Sequence, residues 1–219
     1  MKQLRAVLLM SETSCQKTLD AAKEAGIDLD FVMVGDLEAL ESAFAVHRDL
    51  LLSFGMGTIV PRWILDRPSL IAFNVHAASP QYPGRDPHHF AVYDEAKEYG
   101  ATLHYMTQSV DAGPIVDVEI FDVPPAVTPS ALLDLSRKAS FVLIKRFFQQ
   151  YVEYGAPKPM GGIVWGGCKS TRKMFLELCR IDPAMTKEEI ERRKIATEMP
   201  GYKNLYVDIH GYRFRIEDL

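Results

Sequence analysis

Short apolar runs, each followed by a segment with helical spacing, fill the first half of the chain, and this alternation narrows the possible folds more than any other feature. Residues 5–10 read as a buried strand. Residues 15–25 then carry Leu19, Ala22 and Ala25 at helical spacing, with a Thr13/Ser14 cap before them and Gly26 after them, which completes one βα unit. Residues 31–34, 37–46 and 50–54 continue the pattern, and 71–75 supply the next strand. Short strands that are apolar on both faces and separated by helices predict an α/β fold, a doubly wound, mostly parallel, Rossmann-like sheet.

Further along, residues 89–98 read as a helix closed by Gly100, followed by strands at 102–106 and 115–121. In the second of these, Val116, Val118 and Ile120 alternate with Asp117 and Glu119, so one face is solvated. A long helix is signalled by Thr128 as cap, Pro129 at the first helical position and Leu132, Leu135, Ala139, Val142, Leu143 and Phe147 at near-helical spacing; Gly155 and Pro157 stop it. This divides the chain into a main domain, 1–157, and a short C-terminal subdomain, 158–219. The latter opens with Gly161, Gly162, Gly166 and Gly167, continues with a helix begun by a Thr186/Glu189 capping box and ended by Pro200-Gly201, and closes with a hairpin. Its strands hold Leu205, Val207 and Ile209, then Tyr212, Phe214 and Ile216, around a His210-Gly211 turn.

Composition excludes several classes of function. At 47% hydrophobic and 25% charged residues the 219-residue chain is not disordered. With 25 basic against 29 acidic side chains, and 11 against 9 after residue 166, it has no basic footprint for nucleic acid. Cys15, Cys168 and Cys179 fit no zinc or disulfide spacing. The apolar run after Lys2 and Arg5 is too short for a signal peptide, and nothing approaches the length of a membrane span. A cytoplasmic protein without membrane or nucleic-acid partners is expected.

The first strand-to-helix turn, Ser11-Glu12-Thr13-Ser14, lacks the glycines that let a backbone approach a pyrophosphate, which argues against NAD or FAD. Asn74 and His76, two apart at the end of a strand, point to one face at the sheet end where open α/β folds bind ligands. An amide N–H can hold a developing oxyanion while an imidazole handles a proton, as acyl transfer requires; a satisfied polar turn is the alternative use of such a pair. Asp111, before a small-residue turn, is a carboxylate that could orient His76, or an Asx-turn residue ahead of Gly113-Pro114. His88 and His89 are adjacent and expected to point apart in a surface or loop role, with no further ligands for a metal. His104 reads as a packed or solvated strand residue, and Trp165 as a stacking platform or an anchor for the linker.

Taken together these segments resemble the folate-dependent formyltransferase family. The resemblance runs through Ser53-Phe54-Gly55-Met56-Gly57-Thr58-Ile59-Val60-Pro61, Phe73-Asn74-Val75-His76, Tyr82-Pro83-Gly84 and Gly100-Ala101-Thr102-Leu103-His104-Tyr105-Met106, and ends at Val110-Asp111-Ala112-Gly113-Pro114-Ile115. It covers roughly residues 50–145, weakens over 180–202, and holds only as a pattern over the first 50. It departs from the family at 77–81, which is about one residue short, and in the absence of a glycine-rich first turn, which argues against the purine-synthesis acceptor.

The resemblance implies 10-formyltetrahydrofolate as formyl donor, no metal, Asn74, His76 and Asp111 as the catalytic group, and Met56, Gly57, Thr58, Ile59 and Val60, with Asp111, about the pteridine. Asp111 is expected to raise the His76 pKa, so that a protonated His76 and Asn74 hold the oxyanion. Tyr82, Gly84 and Arg85 are the acceptor-side candidates. The short tail is similar to that of the sugar N-formyltransferases, which implies a nucleotide-linked amino sugar as acceptor. A methionyl-tRNA formyltransferase, a formyltetrahydrofolate hydrolase and an inactive folate- or nucleotide-binding module are the alternatives. The aromatic hairpin suggests a homodimer.

Overall fold

The structure, a computed structural model, describes residues 2–215. Its main sheet is built from β1 (Lys2–Leu9), β2 (Ile27–Val34), β3 (Leu50–Phe54), β4 (Ile71–His76), β5 (Glu98–Tyr105) and β6 (Ile115–Asp122) in the order β2-β1-β3-β4-β5-β6. The pairs from β2 to β4 are parallel; β5 runs antiparallel to both β4 and β6. The sheet is therefore doubly wound and mostly parallel, with the reversal of strand order between β1 and β3.

Helices cover both faces because the strands are apolar on both. On β1, Leu4, Ala6 and Leu8 face one way, toward α1 (Glu12–Glu24) and α5 (Pro129–Tyr154). Val7 and Leu9 face the other way, toward α2 (Leu37–Ala43) and α3 (Arg62–Leu65). This is the two-residue period of a strand filled on both sides. Leu132, Leu143, Phe147 and Phe148 of α5 are fully buried, each contributing about 1.5–3 kcal/mol relative to an exposed side chain. Thr128 caps α5 and Pro129 opens it as the sequence predicts; α1 begins earlier, with Ser11 accepting from the Ser14 amide.

The helix predicted over 89–98 is shorter than expected and lies earlier. Only Pro87–Tyr93 is helical (α4); the chain then turns through Glu95 at φ 53° and enters β5 at Glu98. Gly100 lies inside β5, where a Cβ would stand 2.1 Å from the Glu119 carbonyl oxygen, so this glycine serves close strand pairing and does not end a helix.

Beyond α5 the chain crosses the sheet end as a strap, 156–171, and forms α6 (Arg172–Cys179), α7 (Lys187–Thr197) and the hairpin β7 (Tyr206–Ile209) and β8 (Tyr212–Arg215). Helix α6 had no strong sequence signal. Positive φ at both His210 and Gly211 gives the hairpin a turn of the kind that matches strand twist. Ile216 lies outside the described residues. The Arg193 guanidinium ties α7 to α6 by donating to the carbonyls of Glu177, Leu178 and Arg180 while pairing with Glu189. Tyr93 of α4 donates to Glu189, and Arg192 donates to the Tyr93 carbonyl, which joins the tail to the sheet domain.

Candidate active site

The carboxyl end of β4 carries Asn74 and His76, and antiparallel pairing places Asn74 directly opposite His104 of β5. The Asn74 amide nitrogen and His104 Nε2 are 3.1 Å apart. The carbonyl of Tyr105 can only accept, so its 2.9 Å contact with His104 Nδ1 puts the ring proton on Nδ1 and leaves Nε2 to accept from Asn74.

Asp111 is brought back to these residues by the turn after β5. Gly113 passes so close to β5 that a Cβ there would sit 1.8 Å from the Tyr105 carbonyl oxygen, and Tyr105 N–H donates to the Pro114 carbonyl. Asp111 itself takes φ 45°. Its Oδ2 accepts from Gly84 N–H at 2.9 Å and lies 3.5 Å from His76 Nδ1; its Oδ1 lies 3.5 Å from His104 Nε2. The other nitrogen of His76, Nε2, donates to the Tyr82 carbonyl at 2.9 Å. One carboxylate thus serves two imidazoles.

The strap covers this cluster. Trp165 donates its indole N–H to the Gly113 carbonyl and sets its ring edge-on to His104 and His76, with centroids 4.9 and 5.9 Å away. Gly166 N–H donates to Pro80, Ser170 N–H to Pro83, and Arg85 N–H to Ser170. Gly84, at φ 101°, would place a Cβ 2.3 Å from the Ser170 carbonyl oxygen. Asp111 and His104 keep only 4% and 2% of their surface exposed, and His76 9%.

Burial decides the charges. It pushes the His76 imidazolium down by more than the Asp111 carboxylate and the Tyr82 carbonyl raise it, and His104 adds to the lowering, so the resting ring is neutral. Asp111 does act in the expected direction on His76, but the net shift is downward, opposite to the sequence expectation. For Asp111, burial works against ionisation, but its neighbours His104 and His76 and the Gly84 N–H hold its carboxyl below the ordinary range.

The loop holding Met56, Gly57, Thr58, Ile59 and Val60 leaves the end of β3, the strand beside β4, and so opens on the same side as Asn74. Val60 is buried, Met56 packs partly buried against the same apolar cluster, and Ile59 is 64% exposed. Of the acceptor-side candidates, Tyr82 turns its ring against Tyr99 and contributes its carbonyl to His76, Gly84 supplies an N–H to Asp111, and the exposed Arg85 side chain lies beside Asp86. His88 and His89 are buried on α4 with their rings 4.4 Å apart, which corrects the expectation that they diverge at the surface; His89 Nδ1 donates to the Ala196 carbonyl of α7, and His88 lies near Arg137 of α5. His104 and Trp165 are the residues that sequence reasoning left outside the site. The signal for His104 was a polar residue in an otherwise apolar strand.

Comparison with known proteins bears on this geometry. Residues 32–144, just over half the chain, match the formyl transferase family. The chain belongs to the formyl transferase family. The chain is 40% identical over 80 residues to methionyl-tRNA formyltransferase of Lysinibacillus sphaericus, a stretch covering 36% of the chain and 26% of the relative. It thus spans about a quarter of the length of the curated relatives it matches. The fold extends further. A 4-N formyltransferase from Francisella tularensis superposes with TM-score 0.80 at 18% identity, covering 98% of this chain and 96% of that one. A sugar N-formyltransferase from a Shewanella species superposes with TM-score 0.76 at 15% identity, covering 99% and 96%. Among the described residues, no group of three or more His, Cys, Asp and Glu is arranged to hold a metal, and no helix is long and apolar enough to cross a membrane.

Proposed function

We propose that this formyl transferase moves a formyl group from 10-formyltetrahydrofolate to the primary amine of a nucleotide-linked amino sugar. The observation that carries the reading is the cluster of half-buried Asn74 with buried His76 and Asp111 at the carboxyl end of β4. In this reading 56–60 lines the pteridine, and the acceptor enters beside 82–85.

The neutral amine attacks the formyl carbon and the carbonyl electrons move to oxygen. Asn74 has one N–H committed to His104 and a second free for that oxyanion. His76 is neutral at rest with its proton on Nε2; once that proton is carried on Nδ1, facing Asp111, and Nε2 has parted from the Tyr82 carbonyl, Nε2 takes the proton that the amine nitrogen loses. The resulting imidazolium faces Asp111, which offsets its charge. His76 then passes the proton to N10 of the folate as the C–N10 bond breaks, so the amine's proton ends on tetrahydrofolate and the formyl group on the amine.

The small-sugar acceptor is supported by the extent of the fold match: the 4-N and sugar N-formyltransferases match this chain almost end to end, tail included. The tRNA acceptor is the second reading, supported by the sequence relatives. The near-balanced charge of residues 167–219 favours the sugar. The reading includes a reducing, cytoplasmic setting, in which Cys15, Cys168 and Cys179 are free thiols, a tail of 158–219, and a homodimer that covers the outward apolar hairpin side chains Ile209, Tyr212 and Phe214. The test is spectrophotometric release of tetrahydrofolate from 10-formyltetrahydrofolate, first without acceptor, then with nucleotide-linked amino sugars, free amines and methionyl-tRNA in turn. Release only with the sugars is expected. Release only with methionyl-tRNA, or without any acceptor, overturns the reading in favour of the tRNA enzyme or a hydrolase.

A further inference from the structure

We infer that His104 is a positioning residue for formyl transfer, holding the Asn74 amide in the orientation that presents an N–H to the oxyanion. The inference rests on the functional reading above and deepens it.

An amide has two ends of opposite hydrogen-bonding character, and only the nitrogen end can stabilise negative charge on the formyl oxygen. Nothing intrinsic to asparagine at a strand end selects that end. The selection comes from the strand opposite. Tyr105 offers a carbonyl 2.9 Å from His104 Nδ1, which requires a proton on Nδ1. Nε2 then carries a lone pair, and at 3.1 Å from Asn74 it accepts from Nδ2; the amide oxygen in that place would oppose lone pair to lone pair. The amide's second N–H points away from His104 and remains available.

Two further neighbours flank the ring. The Asp111 carboxylate lies 3.5 Å from Nε2, where rotation would sweep the ring past it. Trp165 stands perpendicular to the ring with centroids 4.9 Å apart. Antiparallel register sets Asn74 and His104 directly across from one another, so the two side chains share one face at cross-strand distance. The chain from Tyr105 carbonyl to imidazole to amide is a relay of orientation and moves no proton.

Two substitutions separate this role from simple packing. Glutamine at 104 reaches about as far as Nε2 and can present its amide oxygen to Asn74, whereas asparagine ends near the Nδ1 position and cannot. His104→Gln is expected to keep kcat within about threefold of the parent, and His104→Asn to lose about 10- to 100-fold in kcat with KM for 10-formyltetrahydrofolate unchanged, a part of what one oxyanion donor supplies. In an Asn74→Ala background His104→Asn should cost less than about twofold, because the amide it orients is gone. Kinetics use the acceptor that supports tetrahydrofolate release above. Independently of turnover, 15N-histidine NMR of the wild-type protein should show His104 protonated at Nδ1; this measurement stands even where His104→Asn does not fold. A proton on Nε2, or an equal loss from His104→Asn in both backgrounds, overturns the inference. Failure of the functional reading shows separately, as no acceptor-dependent release by the wild-type protein.

Discussion

Replacing His88 by phenylalanine should remove a specific part of the protein's acid sensitivity. His88 sits on α4 with 8% of its surface exposed, its Nδ1 buried without a hydrogen-bond partner, and its ring against His89. Burial, with repulsion from His89 and Arg137, pushes its pKa from an ordinary 6.5 down to about 3. The folded state therefore leaves His88 neutral where the unfolded chain takes up a proton. The sign follows: stability is full above about pH 6.5 and falls as the pH drops toward about 3, because the unfolded state binds more protons throughout that window. At pH 5 the unfolded His88 is almost entirely protonated and the folded one almost entirely neutral, so linkage costs about 2 kcal/mol relative to pH 7. Phenylalanine keeps the ring contact and cannot titrate. Urea unfolding at pH 7 and pH 5 should show the wild type losing about 2 kcal/mol more than His88→Phe between the two conditions. His76, His89 and the carboxylates titrate in both proteins and cancel in the difference. Equal pH-dependent losses in the two proteins would refute the reasoning, since His88 would then have to be hydrated or partnered in the folded state.

The remaining predictions concern the site and its supports. Asn74→Ala should lower kcat by about 100- to 1,000-fold in the tetrahydrofolate-release assay while folate affinity by fluorescence quenching changes little; parallel loss of both would remove the oxyanion role. Asp111→Asn takes away the charge that favours an imidazolium at His76, so the His76 pKa moves further down and kcat falls by about 100-fold or more across the pH profile. Gly113→Ala forces a Cβ onto the Tyr105 carbonyl and should cost about 2–3 kcal/mol in denaturant midpoint analysis together with most activity. Arg193→Met strips three carbonyls of a charged donor and breaks the pair with Glu189 at a side chain only 17% exposed. A loss of about 3 kcal/mol is expected, seen as a drop of roughly 6–12 °C in Tm.

What the sequence made legible was whatever one segment decides for itself. Thr128 and Pro129 begin α5, Thr186 begins α7, and the apolar runs give the sheet, because caps, proline geometry and burial periodicity act over a few residues. Asn74 and His76 could be placed on one face for the same reason. His104 could not be joined to them, since its role depends on β5 pairing antiparallel with β4 in a register that puts it opposite Asn74. Gly100 read as a helix stop because a glycine that permits close strand approach looks the same in one dimension. The sign of the His76 shift also needed the structure: the sequence supplies the carboxylate that raises the pKa, but the strap and Trp165 that enclose the ring come from 90 residues away.

That enclosure, together with the charge of the cluster, explains why the proposed proton transfer is favoured in the intermediate and not at rest. With His76 neutral and Asp111 ionised, the buried cluster holds a negative charge that the Gly84 N–H stabilises. A proton added to His76 before substrate arrives would have to enter a ring whose burial disfavours charge. Attack by the amine changes the balance, because its nitrogen becomes a strong acid and the formyl oxygen a strong base within the same enclosure. A proton passed from nitrogen to His76 then converts an isolated carboxylate into an ion pair, with the Nδ1 side of the ring facing Asp111. Asn74 meets the negative charge on oxygen. Both charges of the tetrahedral species are thus met only after attack, which is the differential stabilisation that catalysis requires. The desolvation that lowers the His76 pKa in the resting protein also strengthens the His76–Asp111 attraction once the proton has moved.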